Sequence, residues 1–311
     1  MYYPYFRGRR VELLALRDVV SKLVVKKRVC PIIEPVMAKT GDLKTFLDSA
    51  KGQHPHIILT NPAVGELMGQ SAAIEALIAP YLATPGNELF PGFIVGPTTT
   101  MAEVNAFLTT HKKHQTAFVF SRPNPALPGL AAKIQAATIP PILVFIKGKV
   151  SPSFILSFGA LRKVLVRSGF IAQDKNALYP QLDFYSDLHR TYAAAGFHGF
   201  GDFTIVEDVY NPGGGPAHAV AIHLTELNAK GEIDANHFVS NRTTGTVDTA
   251  GKFMEALTKL VAHVRAHPRS FTYSLACGEF RTLHTTQHFP GLATVKRLSI
   301  RHHLELMESI V

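Results

Sequence analysis

The sequence predicts an α/β protein, a (β/α)8 TIM-like barrel with an inserted β-hairpin after strand 8 and a C-terminal helical tail. Three observations predict it. Short apolar runs, most closed by Pro, Gly, Asn or a charge, recur at roughly 25- to 30-residue spacing along the chain. The middle runs are continuously apolar rather than alternating, as strands of a parallel sheet buried on both faces must be. There are eight of them, with helical patterns between and a further helix after the eighth, which is the barrel count. The alternative is an open doubly wound sheet, which needs fewer strands and no closure.

In order, the runs are YYPYF (2–6), VCPIIEP (29–35), HIILTNP (56–62), FPGFIVGP (90–97), TAFVFSRP (116–123), PILVFIKG (141–148), KVLVRSGF (163–170) and GDFTIVED (201–208). The first is the weakest, aromatic and interrupted by Pro4. Between the first two, RRVELLALRDVVSKLV (9–24) offers Val11, Leu14, Leu16, Val19, Val20 and Leu23 for a buried helical stripe. GDLKTFLDSAK, QSAAIEALIAPYL, TMAEVNAFLTTHKK and LPGLAAKIQAA supply the next helices. Thr100 and Glu103 stand at capping-box spacing at the start of the third of these. The helix after the sixth run is short (PSFILSFGAL), and that after the seventh is displaced to YSDLHRTYAAA.

The eighth beat is interrupted by residues 211–241, where AHAVAIHL and IDANHFVS read as strands paired across NAKGE and placed over one mouth of the barrel. DTAGKFMEALTKLVAHVRAH (248–267) reads as the barrel's last helix. The barrel is therefore expected over residues 1–269, insertion included, with 270–311 as a tail, irregular and then helical, packed on it.

Composition bounds the function classes. The chain has 311 residues, 46% of them hydrophobic, and no apolar run approaches the ~20 residues of a membrane span. No secretory leader is read at the N-terminus, and two cysteines are too few for a disulfide framework, so a cytoplasmic location is expected. The net charge of +9 points to a polyanionic partner. The basic clusters RGRR (7–10), KKR (26–28) and KRLSIRHH (296–303) lack interleaved aromatics and any DNA-reading motif.

In barrels and open sheets alike, ligands bind beyond the carboxyl ends of the strands. The polar residues there include Arg7, Arg9, Glu34, Asn61, Arg122, Lys147, Arg167 and Asp202. Arg7, Arg9, Asn61, Arg122, Lys147 and Arg167 are the expected ligand-binding set, an electropositive cup for a phosphate or carboxylate group. Glu34 and Asp202 are the expected catalytic pair, Glu34 as metal ligand or acid/base with Asp202 as its partner. A plainer alternative is that Glu34 pairs with a neighbouring arginine and closes the mouth. Asp202 is placed early in the last strand, pointing inward, or else serves as a structural acceptor.

The cofactor is not determined by the sequence; Mg2+ held by Glu34 and Asp202 is as well supported as any histidine site. No HExxH or CxxC is present, and His218 and His223, five apart on a strand, face opposite sides. NPGGGP (211–216) lacks the strand–loop–helix context of a phosphate cradle and reads as a turn or hinge. Cys277, with Glu279 and His284 nearby in sequence, is not read as a nucleophile.

The opening YYPYFRGRRVELLALRD and the strand end PIIEP resemble the bacterial and phage-associated beta protein family. The shared features fall on Tyr3 and Pro4, Arg7, Glu12 with Leu13 to Leu16, and Pro31 to Pro35; GDFTIVEDVYNPGGGPAHAVAIHLTEL also resembles the relatives' C-terminal segment. Arg7–Gly8–Arg9 departs from the lysine- and tryptophan-containing segment of the phage-type members. The resemblance implies bacteriophage exclusion or defence, without a settled activity.

The expectation is thus an anion-binding barrel, its ligand a phosphorylated small molecule or nucleic-acid end and its activity that of a phosphoester hydrolase. The alternative is a non-catalytic recognition or assembly component that binds a partner protein through an exposed apolar patch.

Overall fold

A computed structural model describes residues 1–121, 127–212 and 215–311, with backbone alone for residues 23–26. Its larger sheet has eight parallel strands in chain order: β1 (Tyr5–Phe6), β2 (Ile32–Ile33), β3 (His56–Leu59), β4 (Leu89–Val95), β5 (Ala117–Phe120), β6 (Ile142–Ile146), β7 (Lys163–Val166) and β9 (Gly199–Gly201). The intervening β8 (Leu182–Ser186) belongs to a second sheet. The eighth strand returns to the first. Tyr2 bridges both Val29 and Phe200, the Tyr3 amide donates to Phe200 O at 2.8 Å, and the Tyr5 amide donates to Asp202 O at 2.8 Å. With helices α1 (Arg10–Lys26), α2 (Gly41–Ala50), α3 (Ser71–Leu82), α4 (Met101–Thr110), α5 (Leu130–Gln135), α6 (Pro152–Leu156) and α7 (Leu188–Thr191) interleaved between the strands, this is the (β/α)8 TIM-like barrel that the sequence predicts.

Strand alternation sorts the side chains. Phe93, Val95, Phe118, Phe120, Leu143 and Phe145 pack with Val104, Phe107, Leu130, Ile134 and Phe158, so they face the helical layer. The intervening residues, such as Ile94, Val119 and Val144, are buried and fill the interior. Aromatic bulk on the helix side explains why the runs read as continuously apolar. The expected capping box is present: Thr100 Oγ1 accepts from the Glu103 amide while the Glu103 carboxylate accepts from the Thr100 amide, starting α4 (Met101–Thr110).

Closure requires a missing side chain at Gly201, where a Cβ would lie 1.9 Å from Tyr3 O. The sequence places the eighth strand at 201–208, whereas the structure places it at Gly199–Gly201. Gly199 and Gly201 have poor strand propensity, and the apolar FTIV segment beside them carries the stronger strand signal. The strand ends at Gly201, so Asp202 sits just past its carboxyl end rather than early in it.

The chain forms two compact units, one comprising Met1–Arg10, Val20–Arg167 and Leu188–Asp202, the other Val11–Val19, Ser168–Asp187 and Phe203–Val311. In the second, β10 (Ala221–Leu227) and β11 (Ile233–Val239) form the expected antiparallel hairpin, and β8 joins β11 as a third strand that was not foreseen. The helix α8 (Thr249–Ala266), read as the barrel's last, packs here instead. Its Phe253, Leu257, Leu260 and Val264 share a core with Ile222 and Leu224 of the hairpin. The tail is more regular than expected, with α9 (Leu275–Thr285) preceding α10 (Leu292–Ile310), and Phe280 and Leu298 join the same core. Arg297 of α10 holds Asp18 through two bonds of 2.6 and 2.7 Å. Among the described residues no helix is long and apolar enough to cross a membrane.

Candidate functional site

Glu34 follows β2 directly, and the ladder continues through it: its amide donates to Phe6 O at 2.8 Å, which sets Arg7 opposite Glu34. Tyr5, two residues before Arg7, therefore lies on the same row. The side chains meet accordingly. Tyr5 OH donates to Glu34 Oε2 at 2.6 Å, the Arg7 guanidinium pairs with the same oxygen, and the guanidinium lies over the Tyr5 ring at 5.1 Å. Glu34 Oε1 accepts from the Ala63 amide at 2.8 Å. Glu34 is 0% exposed and Arg7 15%. One carboxylate thus ties together β1, β2 and the loop after β3.

This row faces the barrel interior. A Cβ on Gly199 would meet the Tyr3 ring at 2.6 Å, so Tyr3, Tyr5 and Arg7 share the side that the last strand leaves open with glycine. Gly8, at φ +61°, turns the chain away above Glu34, and a Cβ there would lie 3.0 Å from Glu34 O. Burial, then the Glu34 charge, push the Tyr5 phenol well above its ordinary pKa, so Tyr5 is a fixed donor.

Asp202 has different company. Its Oδ1 accepts from Tyr2 OH at 2.7 Å, and Tyr2 packs on Phe200, which packs on Tyr192. Tyr2, Phe200 and Asp202 form the alternate row, turned toward the helical layer. The Glu34–Asp202 pair expected from sequence thus resolves into two carboxylates on opposite faces of the sheet, each bonded to its own tyrosine.

The remaining predicted residues are divided in the same way. Lys147 and Arg167 continue the ladder past β6 and β7, since their amides donate to Val166 O (2.8 Å) and Gly201 O (3.0 Å). Alternation places them on the row of Asp202, not that of Arg7. Asn61 uses both ends of its amide on one backbone residue, donating to Ile94 O at 2.9 Å and accepting from the Ile94 amide at 2.7 Å, which prolongs the β3–β4 ladder. Arg9 is half-buried just after Gly8. Arg122 lies outside the described residues.

Sequence reading missed Tyr2 and Tyr5 as the partners of the two carboxylates. A tyrosine in an aromatic strand reads as core, yet a buried phenol needs an acceptor, and that requirement was the available signal. The histidines were also undervalued. His223 is paired across the hairpin with His237, their Nδ1 atoms 2.6 Å apart, and the intervening sequence concealed the register. Cys277 is buried beside His302 and Ser274, not Glu279 or His284, and burial pushes its thiol up to about 12, which agrees with an inert thiol.

The fold and the mouth define a (β/α)8-barrel protein with a buried Tyr–Glu–Arg cluster at the carboxyl ends of its first two strands. Comparison of the chain with family models, with curated proteins and with solved structures finds no match.

Proposed function

We propose that the barrel mouth binds an anionic, phosphorylated ligand at Arg7. The supporting observation is a partly exposed guanidinium, fixed by Glu34 and the Tyr5 ring, on the inward row at the end where barrels bind ligands. A guanidinium presents its donors in a rigid fork that suits phosphate, and here its orientation is set before a ligand arrives. In this reading Glu34 positions Arg7. With one oxygen on Tyr5 and Arg7 and the other on the Ala63 amide, it is an electrostatic and structural group rather than an acid or base. A phosphoester-hydrolase activity would follow from the anion site proposed at the mouth, and a role in phage defence from the family resemblance alone. The cytoplasmic assignment rests on two free, buried cysteines.

The test is calorimetric titration of the protein with inorganic phosphate and a phosphomonoester, beside Arg7→Lys. Lysine keeps the charge and loses the fork, so affinity should fall about tenfold or more. Equal affinity in both proteins would remove Arg7 from the site.

A second reading, a recognition component that binds a partner protein, is favoured by β8. Leu182 and Phe184 are 54% and 49% exposed, and alternation puts both on one face of an edge strand. A photo-crosslinker at position 184, used in the native host, should yield a discrete protein adduct. An absence of adducts there, with phosphate binding intact, would favour the anion site alone.

A further inference from the structure

A second cluster of polar side chains lies in the hairpin-containing unit, on elements that the barrel mouth does not use. Glu226 is near the end of β10, while His263 lies in the last turn of α8 and His267, four residues on, is the helix's C-cap. The cap closes on the last turn, its amide donating to His263 O at 3.1 Å, which keeps the two imidazoles together. Ligand atoms of the three residues all lie within 4.8 Å of one another. His263 Nε2 is 2.7 Å from Glu226 Oε2, and the two imidazole rings are 4.5 Å apart.

Their surroundings orient them. His267 Nδ1 is 3.0 Å from His263 O; donating to that carbonyl fixes its tautomer and directs Nε2 outward. The His263 ring is held between Phe238 and Phe271, at 5.5 and 5.7 Å. Asn236 Nδ2 donates to Glu226 Oε2 at 3.3 Å. Supporting bonds of this kind hold ligand side chains at metal centres. The helix C-terminus, with its exposed carbonyls, also favours a cation. His263 and His267 line a cleft of about 550 Å3 that Tyr179, Gln181, His237 and Lys259 also border.

We propose that Glu226, His263 and His267 form a binding site for a divalent transition-metal ion of the zinc class, with its open coordination positions directed into the cleft. Two imidazoles and one carboxylate are the donor set of such ions when they retain water or substrate. Calcium and magnesium prefer oxygen ligands and fit this site poorly. The ion would replace the direct Glu226–His263 hydrogen bond by a shared bond to the metal, without a change of fold. The inference is independent of the anion site and can hold or fail by itself.

The experiment uses the tag-free full chain. Co2+ is titrated and followed by its visible d–d absorption, and Zn2+ affinity is then measured by displacement. The wild type should bind one equivalent tightly. His267→Ala, which alters an exposed side chain, and Glu226→Gln, which keeps size and removes charge, should each weaken binding on the order of 100-fold; loss of supporting bonds alone costs about 10- to 100-fold. His284→Ala, on α9, serves as the control for adventitious surface histidines and should change nothing. The proposal is overturned if no tight equivalent binds, or if His267→Ala and Glu226→Gln both retain wild-type affinity. It is equally overturned if the control loses the ion.

Discussion

At Glu34, donors from three places in the barrel converge on one carboxylate that has no exposure to solvent. Removing it takes from Arg7 its carboxylate and from Tyr5 the acceptor of its hydroxyl, in a largely buried setting. Breaking one partner of a buried pair costs about 3–5 kcal/mol. Glu34→Ala is accordingly expected to lower unfolding free energy by that amount in urea titrations, and a loss below about 1 kcal/mol would mean that the cluster is not buried as described. The buried histidines give a pH prediction. Burial lowers His56 to about 4, His302 to about 4 and His223 to about 3. Each takes up a proton more readily when unfolded, so stability is fully present above about pH 6.5 and falls as the pH drops toward 4. Each adds at most about 1.4 kcal/mol per pH unit to the slope. Urea midpoints at pH 7, 6 and 5 should decline progressively, and a flat profile would contradict the neutral buried state.

Among the elements, α4 offers a clean test of local sequence logic. Thr100→Ala deletes the cap that accepts from the Glu103 amide and should cost about 1 kcal/mol, read as a lower melting temperature. A change indistinguishable from zero would mean that the box is not formed in solution. That box was legible because its two members are three residues apart. Strands β2 to β7 were legible because both faces are apolar. The last strand was not, since its defining residues are glycines chosen for what they leave out. β8 was hidden for another reason: its LDFYS segment pairs with a hairpin some fifty residues later, and its alternate residues Leu182 and Phe184 are exposed. The site followed the same division. Glu34 and Arg7 could be found from the strand-end rule, whereas Lys147, Arg167 and Asp202 were assigned to the mouth without the in-or-out parity that the strand ladders reveal. The His263–His267 spacing was visible, but Glu226 lies on a different element 37 residues away.

For the barrel as a whole, closure depends on how closely the last strand approaches the first. Gly201→Ala would put a methyl group against Tyr3 O and should cost several kcal/mol, as backbone overpacking does, with loss of the cooperative thermal transition as the readout. An unaltered transition would mean that the ring is open at β1 and β9. Closure also sets the inward row on which Arg7 stands, and so joins the fold to the proposed activity. The most direct measurement of that activity is a crystal structure of the protein soaked with phosphate, with tungstate as a heavier probe in a second crystal. Anion density is expected within hydrogen-bonding distance of the Arg7 guanidinium, on the interior side of the strand ends and beside Tyr5. Density confined to Lys147 and Arg167 on the outer row, or none at the mouth at saturating phosphate, would contradict it.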